Sequence, residues 1–168
     1  MSPSPPELRI LGIDPGSRIT GWGVIGISGS ELRCIESGVI RLPGKARLAA
    51  RLEVLFDEML SIIDVTGPAE AAVEEVYVAR NARSALTLGH ARGVILLACA
   101  RGGVTPYEYP ANTVKQAVLG QAGAAATKER VAFMVRAILG LKEIPEPADI
   151  TDALACAICH AHRREVPV

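Results

Sequence analysis

The chain has 168 residues, 49% of them hydrophobic, with 18 basic and 18 acidic side chains and no formal net charge, which suits one domain with a full-sized core and leaves no need for a second. The longest wholly apolar run, residues 93–100, is bracketed by Arg92 and Arg101 and falls far short of the roughly 20 residues of a membrane span. The opening MSPSPP lacks the basic and apolar regions of a signal peptide, so a cytoplasmic protein is expected, with Cys34, Cys99, Cys156 and Cys159 as reduced thiols mostly within apolar segments.

Residues 1–7 read as a disordered N-terminal extension and residues 8–164 as a single domain. The stretch 8–22, LRILGIDPGSRITGW, is an apolar run that ends in one carboxylate, Asp14, followed at once by a Pro-Gly-Ser turn. Such a run, rich in Leu and Ile and closed by turn formers, predicts a buried central strand that delivers a charge to the rim of a sheet. An ionised carboxylate there needs a metal, an arginine or backbone amides to face; the plainer alternative is that Asp14 caps the turn.

Residues 21–27 and 32–42 predict two more strands, joined so tightly through Ser28-Gly29-Ser30 that only an antiparallel hairpin fits. Over residues 45–65 the period changes: Leu48, Leu52, Leu55, Met59, Ile62 and Ile63 recur at helical spacing. Residues 71–76 form a short apolar run that again ends in acid, and 104–109 predict a strand at a sheet edge, where Pro106 is tolerated. Helices are expected over 84–100, over 112–119 with an Asn cap, over 127–139 with a Thr cap, and over 148–163. This order predicts an α/β fold with a mixed five-stranded sheet, antiparallel at first and then parallel, flanked by helices. The 84–100 helix is apolar almost all round, so two sides should be buried, the second either inside the domain or against another subunit.

The neutral total hides an uneven distribution. Between residues 76 and 128 six basic side chains (Arg80, Arg83, Arg92, Arg101, Lys115, Lys128) stand against the single acid Glu108. If carboxylates elsewhere gather in one pocket, a basic face can lie beside an acidic site. A solvated charged surface is the plain alternative.

The carboxylates form the sharpest constellation. Asp14 and one of Glu74 or Glu75 end strands. Asp149 and Asp152, three apart in the first turn of the last helix, share a face near its positive dipole end, although acids there also serve simply as caps. Two strand-end acids with two at a helix start make a hard, all-oxygen donor set suited to Mg²⁺ or Mn²⁺. Four carboxylates around two ions roughly 4 Å apart are the arrangement for phosphodiester hydrolysis. Alternation allows only one of Glu74 and Glu75 to face such a site and does not choose between them.

The blocks 10–23 (ILGIDPGSRITGWG), 73–93 (VEEVYVARNARSALTLGHARG), 109–120 (YPANTVKQAVLG) and 148–155 (ADITDALA) closely resemble the bacterial crossover-junction endodeoxyribonucleases, the RuvC-type Holliday-junction resolvases. The resemblance covers almost the whole chain in order. It implies a ribonuclease-H-like fold, a homodimer, Mg²⁺ dependence with two ions per subunit, and paired symmetric nicks that resolve four-way DNA junctions in recombination and repair. By position it places the family's acids on Asp14, Glu74, Asp149 and Asp152, so choosing Glu74. It also puts a junction-engaging aromatic on Tyr77, where many relatives have Phe, and DNA-contacting lysines on Lys115 and Lys128. Arg80, from the basic middle of the chain, joins these as a DNA-binding candidate. A branch-migration motor is the partner that the resemblance suggests.

Three rivals compete. Cys156-Ala-Ile-Cys159-His160 matches the C-x-x-C-H pattern for haem attachment, and His162 would complete a zinc set. Both sit poorly in a segment that continues a helix among alanines. The Ile-Asp-Pro-Gly-Ser opening also resembles the phosphate-binding hairpin of actin-like and sugar-kinase folds, which close two such domains around a nucleotide where this chain supplies one. A junction-binding module without chemistry has no reason to keep four acids beside a polyphosphate.

Overall fold

The computed structural model describes residues 7–75, 81–120 and 126–164. Strands β1 (Leu8–Asp14), β2 (Ile19–Ser28) and β3 (Glu31–Arg41) form an antiparallel meander. Helix α1 (Leu48–Thr66) leads to β4 (Glu70–Glu75), and α2 (Ala82–Arg101) leads to β5 (Thr105–Pro110). Helices α3 (Ala111–Leu119), α4 (Lys128–Ile138) and α5 (Ala148–Arg163) complete the order. The sheet runs β3-β2-β1-β4-β5, with β1 parallel to β4 and β4 parallel to β5. This is the mixed sheet expected from the sequence, and Pro106 lies on an edge strand as its missing N–H requires.

Side-chain alternation sorts β1 into two faces. Leu11 and Ile13 point with Val24 and Val73 to the layer of α1 and α2, against Leu55, Met59 and Ile95. Ile10 points with Ile25 and Ala72 to the layer of α3, α4 and α5, against Val114, Val135, Leu154 and Ile158. Asp14 is an even step from Ile10 and shares that second face.

Helix α5 is the core of the second layer. From Ile150 to His160 every residue except Asp152 is buried, and small side chains let it lie directly on the sheet. Gly12 and Gly23 face each other across β1 and β2. A Cβ at Gly12 would stand 2.0 Å from the Ala153 carbonyl oxygen, and one at Gly21 would stand 1.9 Å from that of Asp149. These glycines are required by the close approach of a helix backbone, not by their dihedral angles.

One local expectation is corrected. The α3 N-cap is Pro110, with no side-chain cap, so Asn112 sits inside the first turn; a proline just ahead of the helix already provides the extended backbone of the cap. Helix α2, capped by Asn81 through the Arg83 amide, buries one side through Ala91, Ile95 and Ala98, while Leu86 and Leu97 stay 66% and 53% exposed. Within the described residues its second apolar side has no cover. The Thr127 cap of α4 is present and accepts from the Arg130 amide.

Candidate active site

The C-terminal end of β1 places Asp14 next to Glu74. The parallel register pairs Ile13 with Val73, so the following residues are neighbours on the rim. Glu74 lies two residues after Ala72, which faces α5; Glu75 is an odd step away and belongs to the opposite side. The register thus selects Glu74, which side-chain alternation in the sequence left open. The N-terminal end of α5 brings Asp152 over the same rim, one turn beyond Asp149, the acid in the helix's first turn. Asp14, Glu74 and Asp152 line one cavity of about 230 Å³ together with Lys115 from α3 and Lys128 from α4, its apolar walls including Val114 and Val131. Asp149 does not line this cavity. It packs against Gly21, close enough for its charge to act on Asp14.

The electrostatics are those of crowded like charges. Burial, followed by the charges of Glu74, Asp152 and Asp149, pushes the Asp14 carboxyl from its ordinary 3.8 up to about 8, against a small opposing effect of Lys128. Burial and Asp152 also raise Glu74, while a hydrogen bond from Asp14, together with Lys115 and Lys128, pulls it back. Lys128 Nζ rests 3.6 Å from the Asp152 carboxylate, with the lysine side chain 75% exposed; at that exposure the pair contributes little to stability. Beneath the acids lies Cys156, fully buried, its thiol held protonated by burial and by the neighbouring carboxylates.

Three carboxylates line the cavity, with Asp149 close by and neither imidazole nor thiolate in the lining, chemistry that fits a hard divalent cation. Among the described residues no three His, Cys, Asp or Glu side chains converge on one point in the conformations they hold. Among the described residues, the positive charge facing these acids comes from Lys115 and Lys128.

The other sequence candidates divide cleanly. Lys115 and Lys128 join the acids. Tyr77 and Arg80 lie outside the described residues. The Cys156-x-x-Cys159-His160 segment runs within α5, and both nitrogens of His160 are engaged: Nδ1 with the Tyr109 hydroxyl at 2.6 Å and Nε2 with Glu70 at 2.8 Å. His162 Nδ1 lies 3.2 Å from the Ala117 carbonyl oxygen. His160 is a satisfied core residue whose partners come from distant strands, which local spacing in the sequence does not show.

A family model described as crossover junction endodeoxyribonuclease RuvC matches residues 10–160. The chain belongs to that family. It is 48% identical over 153 residues to the crossover junction endodeoxyribonuclease RuvC of Heliobacterium modesticaldum, covering 91% of this chain and 93% of that protein. To the protein of the same name from Acidiphilium cryptum it is 51% identical over 158 residues, covering 94% and 93%. Among solved structures it is similar to Thermus thermophilus RuvC in complex with Holliday junction substrate, with a TM-score of 0.83 and 35% identity over 92% of this chain and 94% of that one. The ribonuclease-H-like resolvase fold expected from the sequence is the fold observed. No described helix is long and apolar enough to cross a membrane.

Proposed function

We propose that this chain resolves four-way DNA junctions by paired symmetric nicks, as a Mg²⁺-dependent endonuclease of the cytoplasm. The observation that carries the proposal is the cavity that gathers Asp14, Glu74 and Asp152 with Lys115 and Lys128 on a RuvC-family chain.

In this reading Asp14, Glu74, Asp149 and Asp152 hold two Mg²⁺ ions per subunit, with Mn²⁺ able to substitute. When bound, such a pair supplies an activated water and neutralises charge at the leaving oxygen. The chain's own residues do the rest. Asp14 gives up the proton that crowding forces on it, Lys128 leaves Asp152 for a phosphate, and Lys115 holds the backbone from the α3 side. Tyr77 stacks on a junction base, a contact worth roughly 1 to 3 kcal/mol, and Arg80 adds a phosphate contact.

A junction with approximate two-fold symmetry that is cut on two strands calls for a two-fold dimer with one site per subunit. The uncovered side of α2 supplies the surface. Leu86, Gly89, Gly93 and Leu97 fall on one helical face, and a Cβ at either glycine would meet nothing within 4 Å. Each glycine inside a helix costs roughly 0.5 to 1 kcal/mol relative to alanine, with no compensating contact among the described residues. A second copy of α2 approaching along these glycines accounts for them. A branch-migration motor is the further partner in this reading.

The test is cleavage of a labelled four-way junction beside a linear duplex of the same sequence, with Mg²⁺, Mn²⁺ or EDTA. Symmetric nicks confined to the junction and lost in EDTA are expected. Tight junction binding without cleavage under every metal would leave only a binding module.

A further inference from the structure

The cavity lysines approach the acids from the α3 and α4 side. On the other side of Asp14 the structure gathers five more cations that sequence inspection of the middle of the chain passes over. Between residues 37 and 52 there are four basic side chains, Arg41, Lys45, Arg47 and Arg51, and no acid. The fold adds Arg18 to them. The turn after Asp14 is tied to this segment twice: the Leu42 amide donates to the Arg18 carbonyl at 2.9 Å, and Arg51 Nη2 donates to the Ser17 carbonyl. Arg41 pairs across the sheet with Ile19, at the same end as the Asp14–Gly21 pair.

Arg18, Arg41, Lys45 and Arg47 are exposed and Arg51 is half-buried. Among the described residues none of the five is ion-paired with a carboxylate. The next acid along α1, Glu53, projects about 200° around the helix from Arg51. Arg47 caps α1 without a side-chain hydrogen bond, so the helix begins beside these cations with no side-chain acceptor at its cap. The patch is therefore a field of one sign, held to the turn that follows Asp14 by one backbone hydrogen bond and one from the Arg51 side chain. Val39 is the β3 residue level with Asp14 and Arg41 lies two residues beyond it; with strands about 4.8 Å apart and about 3.4 Å per residue, the Arg41 backbone lies about 12 Å from that of Asp14, which corresponds to between about three and four phosphate steps of DNA at 3.4 Å each.

We infer that Arg18, Arg41, Lys45, Arg47 and Arg51 form a second phosphate-binding surface, which holds the backbone of the duplex arm that leaves the catalytic cavity on the β3 side. The inference rests on the proposed junction-cutting function and adds where an arm goes. The cavity lysines bind at the cut; this patch binds beyond it, reads no base and contributes salt-dependent affinity.

The experiment is junction binding against salt in EDTA for wild type, for the Lys45→Ala/Arg47→Ala double variant, and for an Arg33→Ala/Arg101→Ala control at the opposite end of the molecule. Both exchanged pairs are exposed, so the fold is retained. Each phosphate contact adds about 0.9 to the slope of log affinity against log salt. The patch variant is expected to lose about 2 from that slope, the control nothing, and cleavage of fully bound junction at low salt should match wild type. An unchanged slope in the patch variant, or an equal loss in the control, overturns the inference. Wild type that binds no junction at all overturns the proposed function and this inference with it, a result distinct from either.

Discussion

Replacing Asp14 by asparagine should stabilise the metal-free protein while abolishing cleavage. The folded chain holds the Asp14 proton up to about pH 8 against an ordinary value of 3.8. Its contribution to stability is thus fully present below pH 3.8 and is lost as pH rises through 8, because the unfolded chain releases the proton much earlier. At 1.36 kcal/mol per pH unit, the penalty reaches about 4 kcal/mol at pH 7, and asparagine escapes it. Urea unfolding in EDTA, run from pH 5 to 8, reads this directly. The gap between Asp14→Asn and wild type should widen by about 1.4 kcal/mol per pH unit. Saturating Mg²⁺ should close the gap by stabilising wild type and not the variant. Curves that stay parallel across this range would refute the account of Asp14 as a carboxyl raised by burial and by its acidic neighbours.

Gly21→Ala places a methyl 1.9 Å from the Asp149 carbonyl oxygen, so α5 must shift; a loss of about 1 to 3 kcal/mol of stability and a cleavage rate down at least tenfold are expected, with junction binding retained. Burial alone would raise the Glu70 carboxyl, but hydrogen bonds from His160 and Arg164 hold it below its usual range. The stability this gives is present above pH 4.5 and lost as pH falls further; Glu70→Gln should flatten that acid limb in thermal melts, and an unchanged limb would assign it elsewhere. Leu97→Asp puts a charge on the open face of α2 and should leave a folded monomer by sedimentation, with junction cutting lost.

Much of this architecture is readable from periodicity. Strands and helices alternate with clear changes of period, and Asp14 stands out because a charge ends an apolar run. The features that escape are those set by register and by distant contacts. Nothing local separates Glu74 from Glu75, since alternation fixes relative phase and only pairing with β1 fixes which phase faces α5. His160 looks like a ligand because its spacing to Cys156 and Cys159 is local, whereas Tyr109 and Glu70 lie 51 and 90 residues away in the chain. Helix α2 shows that an all-round apolar pattern reports how much surface needs cover and not what covers it. Four members of the Arg18 to Arg51 patch form an acid-free basic run in the sequence, but only the fold shows that they join Arg18 beside Asp14, because they come from a turn, a strand end and a helix start.

The dependence on α5 bears on when the protein becomes able to act. Asp14 and Glu74 are made early, but Asp149 and Asp152 arrive on the last helix of the fold, after more than eight-tenths of the chain has left the ribosome. Until that helix lies down on Gly12, Gly21 and Gly23, Asp152 is absent from the cavity that Asp14 and Glu74 line. The same docking event that completes the core therefore also completes the acidic cavity.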